Sequence, residues 1–141
     1  MTQPSPTVTS VLTVHVVIPD QLPAPLPAEL SYHAADPYAV RLSLGAPTAR
    51  TVNWVFARSL LTEGLHRRAG TGDVLVLPRS PSRRHFIRVV LRSHEGSALI
   101  DIEESAVDAF LQRTLAFVPL GAERFHLDID RLLAELTGRR D

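Results

Sequence analysis

The chain has 141 residues, fifteen basic side chains balanced by fifteen acidic ones, and no cysteine. At roughly 150 residues per domain this is one domain over residues 1–141, large enough to bury a core without disulfides or a structural metal. The missing cysteine excludes disulfides, thiolate zinc centres and cysteine nucleophiles, and a zero net charge argues against a polyanion or an anionic membrane as the main partner. The apolar runs fall far short of the ~20 residues that cross a bilayer, and residues 1–6 resemble no leader, so the chain reads as a soluble cytoplasmic protein.

Residues 8–18 are rich in β-branched side chains and set Val8, Leu12, Val14, Val16 and Ile18 on one side at period two, which predicts a long strand. Pro19, Pro23, Pro25 and Pro27 follow closely, predicting a surface loop that ends only after residue 27. Tyr38, Val40, Leu42 and Leu44 alternate with Arg41 and Ser43, and Val52, Trp54 and Phe56 with Thr51 and Asn53, after the turn-forming Gly45, Ala46 and Pro47. This pair of runs predicts an antiparallel hairpin, with Trp54 buried beside Val52 or Phe56.

Residues 58–66 change period: Leu60, Leu61 and Leu65 share one side of a short helix that Gly64 helps to end. The run Gly70-Thr71-Gly72-Asp73 predicts a tight turn rather than a phosphate cradle, because a strand and not a helix follows it. Strands are expected at 74–77, 86–92 and 97–102, the last two joined as a hairpin by the break at 93–96. From Ser105 the spacing of Val107, Phe110, Leu111, Leu115 and Val118 is helical, with Ser105 and Asp108 as a capping box and Pro119 and Gly121 as the stop. A final helix is expected from about Asp130, capped by Asp128 or Asp130, with Ile129, Leu132, Leu133 and Leu136 on one face, which suits docking on the core although such faces also pack between subunits. Strands first and helices last argue for an α+β fold: an antiparallel sheet with helices at one face or end.

No enzyme signature emerges from the candidate chemistry. The histidines at 15, 33, 66, 85, 94 and 126 show no metal-ligand spacing, and His126-Leu127-Asp128 reads as a capping arrangement ahead of the last helix. No G-x-S-x-G elbow is present, and Glu103 with Glu104 sits where acids complement a helix dipole. No cofactor is implied.

The conspicuous patch is Arg79, Arg83, Arg84, His85, Phe86, Arg88 and Arg92. On a strand through 86–92, Arg84, Phe86, Arg88, Val90 and Arg92 share one face. Arginines interleaved with an aromatic on a sheet suit single-stranded nucleic acid, and guanidinium forks equally suit carboxylates of a protein partner. Arg84, Arg88 and Arg92 are therefore the candidate partner-binding residues. On a solvated face, Arg88→Glu is expected to leave stability within about 0.5 kcal/mol.

Three stretches are more distinctive: Asp36-Pro37-Tyr38-Ala39-Val40, the run from Val52-Asn53-Trp54 through Glu63-Gly64-Leu65-His66-Arg67, and Gly70-Thr71-Gly72-Asp73-Val74. Together with Val118-Pro119-Leu120-Gly121-Ala122-Glu123 and His126-Leu127-Asp128-Ile129-Asp130, they resemble the SsgA-like family of streptomycete sporulation and cell-division proteins. The resemblance implies a non-enzymatic role in placing or initiating division septa, through divisome proteins such as FtsZ or another SsgA-like protein, with any membrane contact indirect. It also implies a Whirly-like, sheet-rich protomer assembling into a homotrimer and acting in the cytoplasm at division septa. A single-stranded nucleic-acid binder of Whirly-like fold is the alternative, and fold likeness alone does not carry that binding across.

Overall fold

Alternation at period two over most of the first hundred residues becomes seven antiparallel strands. The computed structural model describes residues 7–45, 50–79 and 84–137. In chain order the elements are β1 (Thr7–Val17), β2 (Ala24–His33), β3 (Ala39–Leu44), β4 (Val52–Ala57), α1 (Arg58–Gly64), β5 (Val74–Leu77), β6 (Phe86–Ser93), β7 (Gly96–Glu103), α2 (Glu104–Phe117) and α3 (Glu123–Leu136). The strands form one sheet in the order β4-β3-β2-β1-β7-β6-β5. This is the expected α+β architecture.

β1 joins the two halves of the sheet. It pairs with β2 from Thr7 to Val16 but with β7 only through His15, Val16 and Val17. The four strands β4-β3-β2-β1 and the three strands β7-β6-β5 therefore share only the last turn-length of β1. The core lies on the inner side. There Val8 and Val14 of β1, Leu30 and Tyr32 of β2, Leu42 of β3, Ile87 and Val89 of β6, and Ile100 and Ile102 of β7 are all buried. Helix α2 closes one end of this face with Val107, Phe110 and Leu111, as its three- and four-residue spacing predicts.

Three expectations need correction. The proline-rich connection is shorter than its composition implies. The Gln21 amide donates to the Ile18 carbonyl at 3.2 Å, with Pro19 and Asp20 between them and Asp20 at φ 60°, a proline-led turn with a positive φ at its third position. β2 then starts at Ala24, so Pro25 and Pro27 lie within a strand, opposite His15 and Thr13 of β1. The Pro27 carbonyl accepts the Gly45 amide at 2.7 Å, so its polar backbone edge faces away from β1 and its missing N–H removes no bond to that strand.

At the start of α2, the first residue is Glu104 and no side chain caps the helix; the Ser105 hydroxyl donates instead to Glu103 Oε1 at 2.7 Å. The expected Ser105–Asp108 capping box does not form. The last helix begins seven residues earlier than Asp130, at Glu123, after Ala122. His126 and Asp128 consequently lie inside α3. Two residues apart on a helix, they point to nearly opposite sides and cannot act together as a cap or as a ligand pair.

The Gly70–Asp73 run is a tight turn, closed by mutual bonds between Ala69 and Val76, each 2.9 Å. Gly64 ends α1 directly against Val76, where any Cβ would overlap the valine side chain. That contact seats α1 on the sheet.

Candidate partner-binding surface

The arginine strand is not a row of three free cations. Arg88 forms a forked pair with Asp101 of β7, Nε to Oδ1 at 2.8 Å and a terminal nitrogen to Oδ2 at 3.1 Å. Asp101 is fully buried and the Arg88 side chain is 11% exposed, so the charge is spent inside the protein. The hydrogen bonds that Arg88 donates to Asp101 hold its guanidinium in the charged form above its ordinary pKa, outweighing burial, which acts the other way. Arg88 is thus corrected from a solvated side chain to half of an internal ion pair.

The pair belongs to a cross-strand row. His15 stands opposite Asp101, Asp101 opposite Arg88, and Arg88 opposite Leu77. Phe86 meets the His15 ring edge-on at 5.6 Å. Arg84, in the turn before β6, and Arg92, near its end, remain exposed on either side. They are separated by roughly two dozen ångströms of chain at strand rise, with a neutralised pair between them. Arg83 lies outside the described residues. The hairpin predicted at 93–96 already carries this pairing: counting back from Ser93 opposite Gly96 places Arg88 opposite Asp101.

A second surface follows from the divided sheet. α2 covers one end of the inner face, and the other end is open, forming an apolar cleft of about 490 Å³ between the β3–β4 and β6–β7 hairpins. Val16, Leu26, Leu44, Trp54, Leu91 and Ile100 form its walls, with Arg50 and Glu95 at the rim. Trp54 does lie on the face of Val52 and Phe56, yet it is half-buried rather than enclosed. It is a wall of the cleft. Periodicity places a side chain on a face but does not say where along that face the covering helix stops.

The strongest polar constellation was not anticipated. Arg58, the first residue of α1, is 1% exposed. Its guanidinium donates to the Val118 carbonyl at 2.7 Å and to Glu123 Oε2 at 2.8 Å, and lies 4.9 Å from the centre of the Tyr32 ring. Its amide donates to the Tyr38 carbonyl at 2.7 Å, while the Tyr32 hydroxyl donates to the Pro37 carbonyl at 2.9 Å. A cation in the first turn of a helix opposes the helix dipole, and that cost was the one available signal that Arg58 is held by partners elsewhere.

This geometry gathers the distinctive stretches of the sequence in one place. Pro37 and Tyr38, Arg58, and Val118 with Glu123 come from three of them and meet through Arg58, by its guanidinium or its backbone amide, and through the Tyr32 ring beside it. Among the described residues these are packing and polar contacts that join β2, α1, α2 and α3. No helix among them is long and apolar enough to cross a membrane.

Residues 26–123 match the model of the family described as Streptomyces sporulation and cell division protein, SsgA. The chain belongs to that family. It is 43% identical to the sporulation-specific cell division protein SsgB of Streptomyces coelicolor over 130 residues, 92% of this chain and 95% of the relative. It is 50% identical to SsgB of Kineococcus radiotolerans over 116 residues, 80% of this chain and 69% of that protein. Two solved structures share the fold. One, reported with SsgB mutations that correlate to longitudinal cell division during sporulation of Streptomyces coelicolor, superposes with a TM-score of 0.83 at 42% identity, covering 89% of this chain and 99% of that one. The crystal structure of the SsgA-like sporulation-specific cell division protein of Thermobifida fusca gives 0.84 at 35%, covering 96% and 98%. The SsgA-like relatives support a role in cell division.

Proposed function

We propose that this SsgA-like chain is a non-enzymatic adaptor that helps place or initiate sporulation septa by binding divisome proteins, FtsZ recruitment among its tasks. It works as a homo-oligomer, expected to be a trimer, in the cytoplasm at division septa. The observation that carries this reading is the open apolar cleft around Trp54, a concave surface with a charged rim of the kind that marks protein contacts. Arg84 and Arg92 are exposed members of the arginine patch and are retained as partner-binding residues, while Arg88 is committed to Asp101 within the sheet. Internal neutralisation of Arg88 weakens the nucleic-acid alternative, since a backbone-tracking groove needs its cations free for phosphates.

The test is cosedimentation of the purified chain with FtsZ polymers, together with imaging of a fluorescent fusion in sporulating cells. Co-pelleting and septal ladders are expected, and both are expected to be lost when Val52, at the cleft mouth, is replaced by Glu in a protein that still folds. Normal co-pelleting and septation by that variant would move the partner surface elsewhere. Tight, steeply salt-dependent binding to a labelled single-stranded oligonucleotide would favour the alternative.

A further inference from the structure

The sheet ends at β4, and the direction in which each β4 residue turns its backbone groups follows from two bonds. The Gly45 amide donates to the Pro27 carbonyl, so Ser43 and Arg41, at even steps from it, turn their backbone groups towards β2. Leu44, Leu42 and Val40 then turn theirs towards β4, where they pair with Val52, Trp54 and Phe56. The Arg58 amide, bound to the Tyr38 carbonyl, continues the same alternation. The N–H groups of Asn53, Val55 and Ala57, with the carbonyls of Asn53 and Val55, therefore point away from β3, on the side where the sheet has no further strand. All three residues are exposed, and no bond to these groups is present among the described residues.

The opposite edge of the sheet is covered. On β5, Val76 exchanges two 2.9 Å bonds with Ala69, and Gly70 lies close against the Val74 carbonyl. An open edge is ordinarily blunted by a charge, a proline or a bulge. β4 reads Val-Asn-Trp-Val-Phe-Ala, has none of these, and keeps an unbroken register with β3. The Asn53 side chain is turned to β3, where its Oδ1 accepts the Ser43 hydroxyl at 2.7 Å, and Val55 is 58% exposed. On its inner face the same strand supplies Val52 and Trp54 to the apolar cleft.

We propose that β4 is a strand-addition site: an extended segment of a partner pairs with its open edge, and the alternate apolar side chains of that segment, opposite Val52 and Trp54, enter the cleft. Three N–H groups and two carbonyls within about 13 Å suit a segment of about five residues. Main-chain bonds supply the affinity and the cleft selects the side chains. A helix laid in the cleft would satisfy none of those backbone groups. The inference deepens the septal reading by giving the form in which a partner reaches the cleft, and rests on that reading for the partner's identity alone.

The probe is a short capped peptide in which valine and threonine alternate between charged ends. In the free chain, amide exchange read residue by residue is expected to be fast at Asn53, Val55 and Ala57 and slow at Val52, Trp54 and Phe56. The peptide is expected to slow exchange at Asn53 and Val55 about tenfold or more and to shift Trp54 emission to the blue. Val55 turns its side chain to the other face from the cleft, and its N–H serves no bond to β3. Val55→Pro therefore leaves the cleft walls in place and is expected to weaken peptide binding about tenfold or more, whereas Val55→Thr stays within about twofold. Methylating alternate backbone nitrogens of the peptide repeats the comparison on unaltered protein. One alternate set is expected to abolish binding and the other to spare it, because only one edge of the added strand faces β4. No binding, equal effects of the two sets, or a folded Val55→Pro chain that binds normally would each overturn the proposal. Slowing of the same amides by raising the concentration of the protein alone would give the edge to a second copy, and would overturn it too. Peptide addition without co-pelleting on FtsZ would keep the edge site and remove the septal reading, and the converse result would do the opposite.

Discussion

Arg58 and Glu123, sixty-five residues apart, meet at 2.8 Å with the arginine fully enclosed. The contact ties the start of α1 to the start of α3, and the same guanidinium closes the end of α2 through the Val118 carbonyl. Three helices with little else in common are thus set by one side chain. Removing it leaves a poorly solvated carboxylate and an unpaired carbonyl. Arg58→Ala is expected to cost about 3–5 kcal/mol, against about 1–2 kcal/mol for Glu123→Gln, which keeps one hydrogen-bond acceptor. Urea denaturation of both variants measures the difference; equal and small losses would show that the clasp is dispensable.

The same pair sets a dependence on acid. Burial alone would push the Glu123 carboxyl up, but hydrogen bonds from Arg58 and from the backbone amide of Gly121, together with the Arg58 charge, hold it below the ordinary value of 4.5. A carboxyl whose folded pKa is depressed adds stability above its unfolded pKa and loses that contribution as pH falls through the folded value. Stability is therefore expected to decline below about pH 4.5, with a shallower decline in Glu123→Gln. Tyr32 acts at the other end. Burial, the largest influence, raises its phenol above 10.0 despite the opposing Arg58 charge. Its contribution is complete below pH 10 and is lost as pH rises towards the folded value. Melting curves across both ranges test the two signs, and a Glu123→Gln profile identical to wild type in acid would remove Glu123 from the account.

The strands were legible because alternation survives wherever one face is buried, as in Val40-Arg41-Leu42 and Ile87-Arg88-Val89. β2 was partly hidden, because Pro25 and Pro27 are excluded from a strand only when their missing donors face a partner, and here they face past the end of β3. α3 was cut short because Asp128 and Asp130 imitate caps, whereas the Gly121 amide reaches forward to Glu123 Oε1 at 2.8 Å. A one-sided apolar pattern marks a face that packs, not whether it packs within the chain or between subunits, and on α3 Phe125, Ile129, Leu132, Leu133 and Leu136 lie exposed. Of the candidate residues, Arg84 and Arg92 lie on the surface as read. Arg88 does not, because its meaning depends on the register with Asp101 rather than on its own strand.

That register reverses the expectation for a substitution. Arg88→Glu would place a second carboxylate beside a fully buried Asp101 and is expected to cost about 3–5 kcal/mol rather than about 0.5. Arg84→Glu and Arg92→Glu, on exposed side chains, are expected to stay within about 0.5 kcal/mol. The three variants therefore separate stability from partner binding only if position 88 is treated as structural. Equal stability for all three would mean that the forked pair contributes nothing in solution.

Trp54 offers the last measurement, because it is the chain's only tryptophan and a wall of the cleft. A fully enclosed tryptophan replaced by alanine costs about 3–5 kcal/mol, since both the lost transfer energy and the cavity count. Half-burial removes part of the first term, and an open cleft removes most of the second, because water can enter the space. Trp54→Ala is expected to cost about 1–2 kcal/mol and to leave the fold intact. In the unaltered protein, anything that fills the cleft must cover the indole, so its emission is expected to shift to the blue on addition of a cleft-binding partner. The Val52→Glu substitution at the mouth of the same cleft is expected to abolish that shift without changing the emission of the free protein by more than a small amount. A partner that binds with no change in Trp54 emission would have to use another surface, and a loss of about 4 kcal/mol for Trp54→Ala would show that the cleft is closed in solution.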